Sequence, residues 1–489
     1  MVTGLWMTPF LLHRIGQHDY GLWLVGLQVL TYLTLIDLGV VALLPRETAY
    51  ATGRGGGIES AQDLPHIIGQ TALIVLWQTP LVTVAAFGVY LFMPAQWENL
   101  RHPLAWMLAG FVLTFPLRVF HAVLQGLQDL TFLGAITIIS WAVNTGLTIF
   151  LVVRGFGLTA LAIGWIAGQT LGAAIYFSRL KWRFPSVLPS GLPSSEWRSI
   201  WTQLTSGFWV SVAQMAQLLV TATDMLILGR VLGPAAVVPY ACTGKIISVL
   251  ANQPQMLMQA AAPGLCEMTT GATRGRMLSA LTSLTQLMLM ASAAIFSVVI
   301  LVNRGFVGWW VGANLYGGTA LNLLLLAAMF FRHFNTTYAH AVLFLGHERR
   351  LSLTNLSDGL VTVVSAVLLT RTLGAIGAPL GSLAGVCLVS IPANFQLLAR
   401  ETNTSIGEIL RPLWPLLMRT SGLWAVLLLL STVWIPHGFQ MVAAASIGVA
   451  AVYSVLILPL VFRPPIRGYL IQVLPPVLAK RFTLAAAEA

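Results

Sequence analysis

Apolar stretches of about twenty residues recur along the whole chain, separated by short polar turns. Each is about long enough to cross the roughly 30 Å hydrocarbon layer of a bilayer. The pattern predicts fourteen helices over residues 2–12 (a partial span), 20–44, 67–93, 103–124, 131–153, 156–177, 206–228, 237–262, 278–302, 320–343, 351–373, 376–398, 413–435 and 439–462. Within the eighth, Lys245, Ser248, Asn252, Gln255 and Gln259 step by three and four residues and so share one helical face. The seventh repeats the arrangement with Ser211, Gln214, Gln217, Thr221 and Asp224. Polar groups in hydrocarbon are costly unless they face a bundle interior or a watery cavity, so two adjacent polar stripes predict a transport passage.

Composition narrows the class. Apolar residues make up 57% of the chain and charged residues 8%, against roughly 25% charged in soluble domains. The expected fold is therefore an all-α integral membrane protein with no soluble domain between its spans. The net charge of +11 is read as the cytoplasmic surplus that orients spans, and no nucleic-acid partner is expected. Sixteen Lys and Arg fall in the loops after even-numbered spans and the tail, against six after odd-numbered ones. This bias predicts that those loops and the C-terminus are cytoplasmic. The polar connection 178–205 carries Arg179, Lys181, Arg183, Trp182, Trp197 and Trp201, the mixture expected at a membrane interface.

The two groups of six spans resemble one another. Gly16 matches Gly233, Gly21 matches Pro239, Pro45 matches Pro263, Gly126 matches Gly346 and Gly157 matches Gly377, always 217 to 220 positions apart. Six crossings per copy return the chain to the same side, so the repeat is parallel, about an axis along the membrane normal. The organisation expected is an N-lobe over 1–178, a cytoplasmic linker over 179–205, a C-lobe over 206–398, two extra helices over 399–462 and a cytoplasmic tail over 463–489. Thr34 and Asp37 map onto Asn252 and Gln255, so the second helix of each lobe is expected to face the shared cleft.

Site candidates follow from charge inside spans. Lys245 lies about nine residues inside its helix with four polar neighbours on its face, and either lines a cavity or snorkels outward. Arg118 with His121 and Gln125, and Arg332 with Asn335 and Thr336, form similar faces. A guanidinium matches phosphate bidentately, so these two suit a phosphate headgroup; the alternative is pairing with a buried acid. Asp37 is an ion-coupling site, a counter-charge to a cavity arginine, or a bonding partner where helices meet. Asp224 lies near the outer end of its span, and Asp358 near the inner end of its own, where Arg349 or Arg350 would be its partner. Arg419 is expected to snorkel. His121, His333 and His340 have no metal-ligand partners at suitable spacing, and Cys242, Cys266 and Cys387 support neither a disulfide framework nor a zinc site.

The chemistry of energy supply is narrowed in the same way. A Walker A loop is missing, because Gly244-Lys245 is preceded by Pro239 and followed by Ile246 where Gly and Ser or Thr are needed. The Gly-rich run at 53–57 has no strand and helix around it. No cofactor is expected, and transport would draw on an ion gradient or on removal of product.

The stretch TPFLLHRIGQHDYGLWLVGLQVLTYLTLIDLGVVALLPRETA over residues 8–49, and TDMLILGRVLG over 223–233, resemble the lobe openings of polysaccharide-export flippases. These belong to the multidrug/oligosaccharidyl-lipid/polysaccharide exporter superfamily. The resemblance implies a two-lobed bundle in a bacterial inner membrane that moves an undecaprenyl-pyrophosphate-linked oligosaccharide between leaflets, with membrane lipids and a polysaccharide polymerase as further partners. The mechanism expected puts Lys245, Arg118 and Arg332 at the pyrophosphate, Asn252, Gln255 and Gln217 at sugars, His121 in the cavity on the Arg118 face, and Asp37 or Asp224 at ion coupling or counter-charge. A drug/cation antiporter of the same superfamily is the alternative, and a membrane glycan polymerase or ligase a third. Deep charges of Lys245, Arg118 and Arg332 against Asp37 favour an anionic cargo over a cation. The longest outward connection, around 303–319, is short for a polymerase, so no enzyme activity is expected. The first span is eleven residues shorter than its repeat partner, and the expectation is that the true start lies upstream.

Overall fold

In a computed structural model the chain is helical throughout, and no strand occurs among the described residues. The structure describes residues 2–55, 57–58, 61–189, 191, 197–271 and 274–462. The expected tail over 463–489 lies outside them, as do Ser194 and the side chains of Gln259 and Cys266.

The backbone clusters into two compact units, Thr3–Val237 and the residues from Val238 on. The first holds α1 (Val2–Ile15), α2 (Gln17–Leu33), α3 (Val40–Arg54), α4 (Leu64–Leu91), α5 (Glu98–Thr114), α6 (Arg118–Gly126), α7 (Leu130–Val153), α8 (Gly157–Arg183), α9 (Trp197–Thr221) and α10 (Asp224–Val231). Three of the expected spans are broken here. Residues 20–44 divide into α2, a short 3-10 turn at Thr34–Asp37, and α3. Leu38 (φ 50°) and Gly39 (φ 71°) are both left-handed at that break, and a Cβ on Gly39 would collide with the Gly207 carbonyl oxygen. Residues 103–124 divide into α5 and α6, bent by 51°. Pro116 accounts for this break, because it has no N–H to donate and disfavours helix in the residue before it. Residues 206–228 divide into α9 and α10, also bent by 51°. There the Tyr32 hydroxyl bonds Thr223 and donates to the Leu218 carbonyl (3.2 Å).

The second unit continues with α11 (Pro234–Gly271), α12 (Arg274–Trp310), α13 (Thr319–Phe344), α14 (Glu348–Leu373), α15 (Gly377–Gly385), α16 (Ile391–Thr402), α17 (Ile406–Leu410), α18 (Trp414–Val433) and α19 (Gly438–Val461). α14 and α15 form an antiparallel hairpin about Gly374. Gly377 approaches Thr370, Gly381 approaches Ala366 and Gly385 approaches Thr362, and a Cβ on Gly381 would stand 2.7 Å from that of Ala366. A π turn at Val386–Ser390 joins α15 to α16. Aromatic and aliphatic side chains fill the core between α12, α13, α18 and α19, where Phe296 stacks on Trp424 with ring centres 4.0 Å apart.

The repeat is visible in the backbone. Left-handed residues Gly16, Gln128 and Gly155 precede α2, α7 and α8, and Gly233, Gly346 and Gly374 stand before α11, α14 and α15 at spacings of 217, 218 and 219. Gln128 rather than Gly126 is the counterpart of Gly346, since Gly126 is still helical. Thr34 and Asp37 differ from their matches, because Asn252 and Gln255 continue within α11 while Asp37 sits at a break.

Nine helices among the described residues are long and apolar enough to cross a membrane, or eleven with the two bent pairs included. The expected count of fourteen is not reached by length and apolarity. α1 has 14 residues, α13 is not among them, and Glu348–Thr402 registers as one 55-residue run although it folds back at Gly374. Two loop assignments also change. Asn303 is buried inside α12 and donates to the Thr243 carbonyl (2.8 Å) and Asn322 (2.7 Å). Arg179, Lys181 and Arg183 belong to the last turns of α8, and Trp197, Arg198 and Trp201 to the first turns of α9, which shortens the connection between them.

The charge bias sets an expected outcome for orientation. In a cysteine-free background, a cysteine at exposed Asn314 should react with an impermeant maleimide in intact cells. One at exposed Ser186 should react only after permeabilisation, and the opposite pattern would invert the orientation.

Candidate functional site

Two of the breaks in the first unit meet at an ion pair. Asp37, 2% exposed, ends the 3-10 turn, and its Oδ1 accepts from the Gly39 N–H (2.8 Å), satisfying a donor at the start of α3. Its own carbonyl accepts from the Gln78 side chain (3.1 Å). Arg118 opens α6 directly after the second break, and its Nη2 lies 3.3 Å from Asp37 Oδ2. The guanidinium carbon stands 5.5 Å from the Phe115 ring centre. The other terminal nitrogen, Nη1, is buried with no hydrogen-bond partner among the described residues. A buried donor without a partner costs about 1–3 kcal/mol, more for a charged group, so this nitrogen is poised to take an acceptor.

A cavity of about 690 Å³ opens beside it. Thr31, Thr34, Arg118, His121, Gln169 and Tyr176 supply its polar wall, and Leu27, Leu30, Val41, Phe111 and Trp165 its apolar one. His121 packs edge-on to Tyr176 with ring centres 5.2 Å apart. The size falls within the range of sites that enclose a small ligand or headgroup, roughly 300–1,000 Å³. Trp165, Gln169 and Tyr176 were missed by the sequence reading. Their spacing of four and seven residues along α8 puts them on one face with Ala173, a signal that an otherwise apolar helix obscures.

The second arginine is bound differently. Arg332 makes two bonds to Asp358 (3.1 Å each), donates from Nε to Ser382 Oγ (2.9 Å), and from Nη2 to the Ser382 carbonyl (3.1 Å) and Thr362 (3.3 Å). Ser390, carried by the π turn, donates to Asp358 Oδ2 (2.5 Å), and Asn394 donates to Asn335 (2.8 Å) nearby. Asp358 therefore pairs with Arg332, whereas Arg350 reaches the Ala393 carbonyl (3.5 Å). The expected balance of three deep cations against one acid is corrected in turn, because Arg118 and Arg332 each face a carboxylate. Arg332 is a clamp among α13, α14 and α15, with all three guanidinium nitrogens engaged.

The other candidates lie on open faces. Lys245 is half-buried on α11 and makes no ion pair among the described residues. Ser248, Asn252 and Gln255 are exposed on the same face, and the first two bond back to carbonyls of their own helix (2.9 and 3.4 Å). Gln217 is exposed on α9, and Asp224 is half-buried at the first position of α10. Arg419 donates to the Leu456 carbonyl (3.0 Å) rather than reaching outward.

A family model described as "polysaccharide biosynthesis protein" matches residues 96–316. No curated protein matches the sequence. Among solved structures, the fold is similar to the lipid II flippase MurJ in an inward closed conformation, at 11% identity over 90% of this chain and 98% of that one, with a TM-score of 0.60. It is also similar to an inward-facing multidrug resistance MATE family transporter of the MOP superfamily, at 16% identity over 80% and 96% of the two chains, with a TM-score of 0.54. A MOP superfamily transporter from Pyrococcus furiosus, described as having a binding pocket of reverse polarity, aligns at 14% identity over 80% and 88%, with a TM-score of 0.50.

The Arg332 network yields a stability prediction. Arg332→Ala strands Asp358 in the helix packing and should cost about 3–5 kcal/mol, read as a lower melting temperature in detergent and lower membrane abundance. The double change Arg332→Leu with Asp358→Leu should recover most of the loss, and Lys245→Ala should cost little. A fully stable Arg332→Ala protein would refute the clamp.

Proposed function

We propose that the chain is a member of the multidrug/oligosaccharidyl-lipid/polysaccharide exporter superfamily and a flippase for a lipid-linked oligosaccharide, a reading supported by the family match over residues 96–316 and by the fold it shares with the flippase and transporter structures above. The membrane proposed is a bacterial inner membrane, with the C-terminus cytoplasmic. The observation that carries the reading is the cavity wall at Arg118, where a guanidinium with one unsatisfied nitrogen stands among hydroxyl, amide and aromatic side chains. The Arg118 guanidinium takes a phosphate oxygen of the headgroup. Thr31, Thr34 and Gln169 supply donors and acceptors for hydroxyls, and Trp165 and Tyr176 supply flat apolar faces for a sugar ring. The exposed polar face of α9, with Gln217, offers a further contact to a long polar cargo. A polysaccharide polymerase outside the membrane would use the product.

Cation antiport is the competing reading within the superfamily. It asks for a buried carboxylate free to exchange between an ion and a cationic drug. Both fully buried acids among the described residues, Asp37 and Asp358, are held by arginines, which supports the anionic cargo.

The test compares glycan export, normalised to membrane abundance, in Arg118→Gln, Arg118→Lys and Asp37→Asn strains. Loss of a charge-assisted bond worth about 1.5–3 kcal/mol should weaken headgroup binding about ten- to a hundredfold in Arg118→Gln. Arg118→Lys should keep part of it. Asp37→Asn preserves an acceptor for the Gly39 N–H and leaves the arginine charge unneutralised, so export should persist. Normal export in Arg118→Gln with complete loss in Asp37→Asn would overturn the reading in favour of ion coupling at the carboxylate.

A further inference from the structure

An apolar groove of about 530 Å³ runs between α4 and α5, away from the candidate cavity. Thr83, Ala86, Phe87 and Tyr90 line it from α4, and Ala105, Leu108, Ala109 and Val112 from α5. Both sets step by three, one and three residues, so each helix gives it a single face. Ala86, Ala105 and Ala109 stand where larger side chains would otherwise meet, and that leaves the depression. α4 is apolar along 28 residues, long enough to cross a membrane. A groove so lined on a membrane-spanning helix suits an apolar chain rather than a polar ligand. The run from Thr83 to Tyr90 spans about 10 Å along the helix, a third of the hydrocarbon layer.

One end of the groove is charged and aromatic. The Arg101 guanidinium carbon sits 5.1 Å from the centre of the Tyr90 ring, which lines that end. Trp106 is 52% exposed on the next turn of α5, with His102 beside it. Arg, Tyr and Trp at the mouth of an apolar groove are the groups that meet lipid phosphates and glycerol esters at the membrane surface. Arg101 bonds the Tyr90 side chain, and its ion pair among the described residues is with Glu98, 3.5 Å away and open to solvent on both sides. Such pairs hold weakly, so an anionic headgroup displaces the carboxylate.

We propose that the α4/α5 groove binds one anionic diacyl phospholipid, with an acyl chain along Ala86, Ala105 and Ala109 and its phosphate at Arg101. The site is separate from the cargo cavity and independent of the cargo's identity. It has a route to transport all the same. Val112 and Leu113 line the groove in the last turn before α5 breaks, while Phe111 and Thr114 of that turn line the cavity. A lipid in the groove braces the turn from which the break at Pro116 departs.

The experiment exchanges the purified full-length protein into mixtures of phosphatidylglycerol and phosphatidylcholine at equal mole fraction and counts retained lipids by native mass spectrometry. Wild-type protein should retain about one phosphatidylglycerol with roughly fivefold preference, the effect of one interfacial Arg. Arg101→Gln should bring the preference close to one, and Glu98→Gln should raise it, since the competing carboxylate is gone. Ala105→Leu with Ala109→Leu fills the groove and should abolish retention of either lipid. Equal retention of the two lipids by wild type, or unchanged retention by the filled variant, would overturn the proposal. Displacement of phosphatidylglycerol by an added polyprenyl phosphate would also overturn it, giving the groove to the cargo's tail. Arg101→Gln and Glu98→Gln lie on exposed residues and keep the test decisive should the filled variant fail to fold.

Discussion

A helix broken inside hydrocarbon leaves backbone groups that no water can satisfy, and the protein must answer each break with its own side chains. In the first unit the breaks at Thr34–Gly39 and at Phe115–Leu117 meet at one ion pair, while the backbone of the second closes on its own turn, Leu117 N–H donating to the Thr114 carbonyl (3.1 Å). Asp37 accepts the Gly39 N–H on one carboxylate oxygen and faces Arg118 with the other. Arg118 stands at the first position of the helix that restarts after the second break. The guanidinium keeps one buried nitrogen without a partner among the described residues, and Arg118 lines the cavity beside it. The break is thus the reason the site exists.

Arg332 shows the alternative outcome of the same chemistry. It sits within an unbroken helix, and the close approach of α15 to α14 through Gly377, Gly381 and Gly385 brings Ser382 and Thr362 to the Arg332–Asp358 pair. All three guanidinium nitrogens are used, and the carboxylate is closed by Ser390 from the π turn. π turns let a helix present one residue out of register, which here delivers the hydroxyl that completes the network. A saturated guanidinium holds helices together, whereas one with an idle nitrogen can bind.

Much of this fold was legible because hydrocarbon imposes a simple rule on sequence. The apolar runs became helical, several of them in two pieces, and the repeat spacing marked the helix starts at Gln17 and Pro234. The breaks were harder. Pro116 was a visible signal within an apolar run, but nothing at Leu38 announces a left-handed residue, and a Leu there is held by the surrounding packing. Pairing was harder still, because Asp37 and Arg118 lie 81 positions apart and Arg332 and Asp358 26 apart. Helical periodicity places residues on a face of one helix and carries no information about which other helix lies opposite. Asp358 was matched to Arg349 or Arg350 on proximity in sequence, and the hairpin of α14 and α15 decided otherwise.

The polar faces sort by the same distinction. The α11 stripe was the strongest sequence signal, and the structure leaves Ser248, Asn252 and Gln255 exposed, with the Ser248 hydroxyl and the Asn252 amide turned back on their own helix. Such a face is weakly committed and tolerates many orientations of a hydroxyl-rich cargo. The Arg118 cavity is committed, because its charge is fixed by Asp37 below and flanked by Phe115. A carrier that must release what it carries gains from that division. Under the proposed function, the fixed cation would recognise the phosphate that lipid-linked cargoes share.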